Sequence, residues 1–121
     1  MAVRTVTLDT FESTVTEPGM VFLDCWADWC PPCRAFKPVF ENAAEKHTDA
    51  IFASIDTQKE QVLAGQLGIS SIPTIMAFRD GIMVFNQPGA MGAPDFERVI
   101  QAVRGLNMDE VRAQIETQAT D

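Results

Sequence analysis

Cysteine is scarce in this sequence: three residues in a chain of 121. An extracellular scaffold stapled by disulfides would need more of them, and more widely spaced. Basic residues are few as well, nine against seventeen acidic ones, for a net charge of −8. Such a surface repels phosphate backbones, so no nucleic acid is expected as a partner. No apolar run approaches the roughly 18–20 residues that cross a bilayer, so no membrane association is expected either. The N-terminal MAVRTVTLDTF lacks the apolar stretch of an export leader, and a cytoplasmic location is the expectation. Repeats and low-complexity tracts are absent. What remains is an ordinary balance, 46% apolar and 21% charged, at a length that suits one domain with a real core.

Alternation of β-branched and polar residues predicts a strand over Val3 to Leu8. Asp9 or Thr10 is placed to cap a brief helix through Thr16, which the Pro18-Gly19 turn ends. Met20 to Trp26 (MVFLDCW) is almost continuously apolar, the pattern of a central strand covered on both faces. Asp24 alone breaks it. A helix to about Lys46 is predicted next, with Phe36, Val39, Phe40 and Ala43 on one face and Pro38 bending it. Ile51 to Asp56 reads as a second apolar strand, and Glu60 to Leu67 as a helix stopped by Gly68. Thr74–Arg79 and Ile82–Gln87 form a predicted hairpin about Asp80-Gly81. A further helix begins near Pro94 and ends at Arg104. The order β-α-β-α-β-α-β-β-α implies an α/β fold, a mixed central sheet flanked by helices. In the remaining LNMDEVRAQIETQATD, Asn107 and Glu110 make a capping box and Met108, Val111 and Ile115 share a face. That predicts a short amphipathic helix docked on the body, with frayed final residues. A partner-binding helix is the second reading.

The chemistry concentrates in DWCPPCR, Asp28 to Arg34. Two cysteines at this spacing are a reactive dithiol, half a metal site, or a structural crosslink. Cys30 falls at the N-terminus of a helix, where free N–H groups and the positive end of the helix dipole stabilise a thiolate. Cys33 lies one turn on, in reach of a mixed disulfide on Cys30, so Cys30 attacks and Cys33 resolves. Pro31 and Pro32 fix two φ angles in helix-starting shape and remove two N–H donors, leaving that of Cys33 nearest the Cys30 sulfur. A metal site would need two more ligands. Only Cys25 and His47 remain, in no second cluster, so no metal is expected. A crosslink closing so short a loop constrains the unfolded chain very little.

Taken together, the motifs of this chain resemble those of the thioredoxin family from about Val3 to Arg104. VFLDCWADWCPPCRAFKP, SIDTQ, GISSIPTIMAF, the RDG turn and the Pro88–Ala90 PGA segment occur in the family's order. The resemblance implies a thioredoxin fold over residues 1–106, with residues 107–121 as a C-terminal extension carrying the extra helix. It implies a Cys30–Cys33 pair cycling between dithiol and disulfide, protein disulfides as substrates, and a thioredoxin reductase or equivalent dithiol donor as partner. No bound cofactor is needed, because the electrons reside in the two sulfurs, and a monomer is the expectation. Asp24 matches the buried carboxylate behind the dithiol, suited to move a proton to or from Cys33. Trp29 and Pro31 flank the site, Ile72 and a cis Pro73 would line a substrate groove, and Pro88 and Gly89 match the glycine loop beside it.

Two departures stand out. The usual Gly-Pro between the cysteines is Pro-Pro here, a pairing familiar in tryparedoxin and nucleoredoxin relatives. Many thioredoxins also keep a lysine in the third strand near the aspartate, where this chain has Phe52. Two other function classes stay open beside the first. One is a dedicated oxidase, isomerase or client-specific redox partner. The other is a non-catalytic binding module, against which the intact Cys30, Cys33 and Asp24 argue. Cys25 is expected to be buried and inert, and His47 to be solvated or to cap a helix end.

Overall fold

The computed structural model describes residues 2–120, with side chains described for residues 2–117. Its elements are β1 (Val3–Thr5), α1 (Phe11–Val15), β2 (Met20–Trp26), α2 (Pro31–Lys46) and β3 (Ile51–Asp56). There follow α3 (Gln61–Gln66), β4 (Thr74–Arg79), β5 (Ile82–Pro88), α4 (Ala93–Arg104) and α5 (Met108–Thr120). The five strands form one mixed sheet in the order β1-β3-β2-β4-β5. The first two pairings are parallel and the last two antiparallel. β2 takes the middle place, as its continuous apolar run requires, and all its residues but Trp26 are buried.

Alternation along β2 sorts its side chains to two faces. Phe22 joins Phe36 and Phe40 of α2, Phe52 of β3 and Phe96 of α4 in one core layer. Phe52 stacks on Phe22 at 5.2 Å and meets Phe40 edge-on at 5.3 Å between ring centroids. Val21, Leu23 and Cys25 face the other way, into a layer shared with Val15 of α1, Ile55 of β3 and Leu63 of α3. The β4–β5 turn is the expected one: Asp80 and Gly81 both hold positive φ, 52° and 83°, which a two-residue turn of this hand demands. Asp80 also accepts a hydrogen bond from the Gly19 N–H at 2.9 Å, joining this turn to the Pro18-Gly19 turn.

Three expectations need correction. β1 ends at Thr5 rather than Leu8, although the Val6 N–H still reaches the Ser54 carbonyl at 2.9 Å. Beyond it side chains take the backbone donors: Thr10 Oγ1 accepts from Thr7 N–H and Glu60 Oε1 from Leu8 N–H, both at 2.9 Å. Among the described side chains, helix α5 docks through its first turn, where Met108 is buried and Val111 half-buried, whereas Ile115 is 44% exposed. Asn107 Oδ1 does cap it, accepting from the Asp109 and Glu110 N–H groups at 3.1 and 3.2 Å. The expectation of frayed final residues falls on the chain end, where side chains past Thr117 and all of Asp121 lie outside the described residues.

His47 is the third, and only in part: it stands at the helix end as expected, the C-cap of α2, but at 7% exposure it is buried rather than solvated. Its Nε2 lies 2.8 Å from Glu97 Oε1 and its Nδ1 3.1 Å from an Arg104 guanidinium nitrogen. Arginine can only donate, so Nδ1 accepts and Nε2 carries the proton given to Glu97. Arg104 in turn grips Asp49, so the ring ties the end of α2 to α4.

Candidate active site

The sheet delivers the cysteine motif at the end of its middle strand. β2 stops at Trp26, Ala27 to Trp29 make the turn, and α2 starts at Pro31. The Arg34 guanidinium donates to the Asp28 carbonyl at 3.0 and 2.7 Å and pins that turn to the helix. Cys30 is the N-cap of α2, in extended conformation, and its Sγ accepts from the Cys33 N–H at 3.2 Å. That bond is the one the paired prolines leave open, since neither proline has an N–H to offer. Cys30 and Cys33 are joined as a disulfide, and both are buried at 3% exposure.

The two sulfurs meet different surroundings. Cys30 Sγ lies 3.7 Å from the Ile72 carbonyl oxygen, immediately before a cis Ile72–Pro73 peptide. Pro73 is buried, and its carbonyl accepts from the Gly89 N–H at 2.7 Å. Gly89 holds φ at +103°, a conformation side-chain-bearing residues rarely adopt, which lets the loop close over Pro73. Pro88 faces Thr74 across the β4–β5 ladder. Trp29 is 62% exposed, so it does not fill core, and Pro31, Pro88 and Gly89 are exposed too, with Ile72 half-buried. Cys33 instead faces inward, lining a cavity of about 490 Å³ together with Asp24.

Asp24 is 4% exposed, and its Oδ1 has no hydrogen-bond partner among the described residues. Burial pushes its carboxyl up to about 7. Its own face of the sheet supplies no nearby cation, because Phe52 occupies the place two residues before Ser54, the strand partner of Asp24, and packs into the aromatic layer. Cys25 is fully buried on the opposite face, and burial, then the Asp24 charge, push its thiol up to about 12. Cys25 and His47 are therefore not brought to the dithiol. Among the described residues no group of three or more His, Cys, Asp and Glu could hold a metal ion.

Four residues of the cavity escaped the sequence reading: Thr5 of β1, Ser54 of β3, and Lys37 and Glu41 of α2. A signal for two of them exists. Cys33, Lys37 and Glu41 follow at intervals of four, which stacks them along one flank of a helix. Thr5 and Ser54 carry no such signal, since only the strand order brings them beside Asp24.

Comparison with known proteins agrees with this geometry. The Thioredoxin family model matches residues 2–102. A thioredoxin-named protein of Streptomyces coelicolor is 45% identical over 113 residues, covering 93% of this chain and 84% of its own. The thioredoxin of Bacillus subtilis is 36% identical over 90 residues, covering 74% and 86%. Among solved structures, a point-mutant thioredoxin from Halobacterium salinarum superposes with a TM-score of 0.79 at 31% identity, covering 87% and 93%. A buried disulfide at a helix N-terminus, a cis proline against it and a buried carboxyl behind it thus sit on the fold these relatives share. The chain belongs to the thioredoxin family, and its Cys30–Cys33 pair is the redox centre of a thiol–disulfide oxidoreductase.

Proposed function

We propose that this protein reduces the disulfides of other proteins, with Cys30 as nucleophile, Cys33 as resolving thiol and Asp24 as the group that takes the Cys33 proton. The observation that carries the reading is the sorting of the two sulfurs: Cys30 toward the Ile72 carbonyl and the cis proline, Cys33 toward the Asp24 cavity. In the reduced protein the Cys30 thiolate sits at the N-terminus of α2, held by the Cys33 N–H. It attacks a client disulfide, forming a Cys30–client bond and releasing the first client sulfur as a thiolate. Cys33 gives its proton to Asp24 and attacks Cys30 in turn. The Cys30–Cys33 bond forms, the Cys30–client bond breaks, and the second client sulfur departs with the electron pair. Both electrons come from the dithiol, and a dithiol donor such as a thioredoxin reductase restores it.

Trp29, Pro31, Ile72, Pro73, Pro88 and Gly89 form the client-binding rim in this reading. An extended client segment pairs with the Ile72 backbone, because the missing Pro73 N–H leaves that side without a strand partner. A shallow rim of this kind suits many protein disulfides better than one small molecule. Residues 1–106 are the working domain, a monomer carrying electrons in the cytoplasm, with residues 107–121 appended to it. Among the described residues no helix is long and apolar enough to cross a membrane.

Turnover of a disulfide-bonded protein in the presence of a small dithiol tests the reading. Cys30→Ser and Cys33→Ser are each expected to lower turnover by about 1,000-fold or more, because each removes a bond-forming atom from one cycle. Turnover that survives either change would overturn it. Client docking that survives in the double variant while turnover vanishes separates this reading from that of a binding module.

A further inference from the structure

The cavity behind the disulfide runs from two buried groups to the surface. Asp24 and Cys33 form its inner end, Ser54 is half-buried along its wall, and Thr5, Lys37 and Glu41 at its sides are all exposed. At about 490 Å³ it far exceeds the space one water needs, and the unpartnered Asp24 Oδ1 with the Ser54 and Thr5 hydroxyls gives water the polar partners it requires. None of Trp29, Cys30, Ile72 and Pro73 lines it. A client seated on the rim therefore leaves this passage with walls of its own, between β1 and the flank of α2.

Few charges face Asp24 across the cavity. β1, β3 and β4 bring Thr5, Ser54 and Ile75, none of them charged. The turn before α2 brings Asp28, whose carbonyl holds Arg34. α2 brings Arg34, Lys37 and Glu41. Lys37 and Glu41 take part in none of the ion pairs found among the described residues. Their fields thus reach the cavity that Asp24 looks into, weakened by the water that enters it.

We propose that this cavity is the proton inlet of the redox site, through which Asp24 exchanges its proton with solvent while a client covers the rim, and that Lys37 and Glu41 are positioning residues acting through their opposed charges on Asp24. The inference rests on the reading of Asp24 as proton acceptor for Cys33. In the resolving step the Cys33 proton passes to the Asp24 carboxylate, the Cys33 thiolate forms the Cys30–Cys33 bond, and the client sulfur leaves as a thiolate. The proton on Asp24 then leaves along the inlet, and the client thiolate takes one from water, so charge and protons balance. Lys37 favours the carboxylate and so keeps more of Asp24 ready to accept near neutral pH. Glu41 disfavours it.

The test uses the full chain and two readouts, the carboxyl titration of Asp24 by NMR and the rate at which a preformed Cys30–client mixed disulfide resolves as pH is varied. Lys37→Met is expected to raise the Asp24 midpoint by about half a pH unit and Glu41→Gln to lower it by as much, each moving the acid limb of the resolution profile the same way. Thr5→Phe, at the exposed mouth, is expected to slow resolution about tenfold while leaving the initial attack by Cys30 unchanged. Asp24→Asn separates the two layers of the argument. If it slows resolution but the Lys37, Glu41 and Thr5 variants match the parent in both readouts, the inlet is overturned and the proton acceptor stands. If Asp24→Asn leaves resolution and its pH profile unchanged, the acceptor role falls and the inlet with it.

Discussion

Asp24 is the residue where stability and function oppose each other. Its carboxyl is pushed from 3.8 up to about 7 by burial. Between those pH values the folded protein keeps a proton that the unfolded chain has released. Stability therefore falls as pH rises from about 4 to about 7 and levels off above. At about 1.4 kcal/mol per pH unit, the window corresponds to about 4 kcal/mol. Asp24→Asn removes the titration, so it is expected to stabilise the protein by a few kcal/mol at pH 8 and hardly at all at pH 4, as read by urea unfolding. An equal effect at both values would contradict a lone buried carboxyl. This residue was legible in the sequence because a single acid in an apolar run such as MVFLDCW is buried along with the strand that carries it. Its want of a cation was legible at Phe52 only through the family resemblance. Its cavity was not legible, because Thr5 and Ser54 reach it through strand order, which no local pattern encodes.

Among the elements, boundaries were readable where backbone chemistry sets them. The Asp80-Gly81 turn fixes the ends of β4 and β5, and the paired prolines with the Cys30 cap fix the start of α2. β1 stops short of its expected end because Thr10 and Glu60 side chains, not a strand neighbour, satisfy the backbone after Val6. The same dependence on distant partners hid the junction of α2 with α4. His47 owes its burial to residues 50 and 57 positions away. Glu97, half-buried there, is held down to about 2, first by Gln101 and then by His47. Arg79 adds a second tie from β4, donating to the Val103 and Arg104 carbonyls at the end of α4 at 2.7 and 3.1 Å. His47→Ala is expected to cost about 1–3 kcal/mol in urea unfolding at neutral pH, by emptying the buried ring's site and removing its hydrogen bonds to Glu97 and Arg104. Turnover is expected to stay near that of the parent, because the junction lies apart from the rim and the cavity. A loss of turnover without a loss of stability would place His47 in the chemistry instead.

At the scale of the whole molecule, the sheet order does the functional sorting. It sets β2 in the middle, so Asp24 has a strand on either side and the cysteines emerge at the end of the most buried strand. It sets β4 beside β2, so the cis Ile72–Pro73 peptide preceding β4 comes to rest against Cys30. It leaves α5 outside the sheet, attached through Met108. The alternation and turns in the sequence announced an α/β domain, and the ordered motifs announced its family. The helix position of the cysteines and the resemblance also anticipated different surroundings for the two sulfurs, on which the division of labour between them depends. Trapping the mixed disulfide tests that division most directly. Full-length Cys33→Ser and Cys30→Ser proteins are each mixed with a disulfide-bonded client, and any adduct is mapped by mass spectrometry. The expected result is a stable client adduct on Cys30 in the Cys33→Ser protein and none in the Cys30→Ser protein. An adduct on Cys33 in the Cys30→Ser protein, with none on Cys30 in the other, would contradict it.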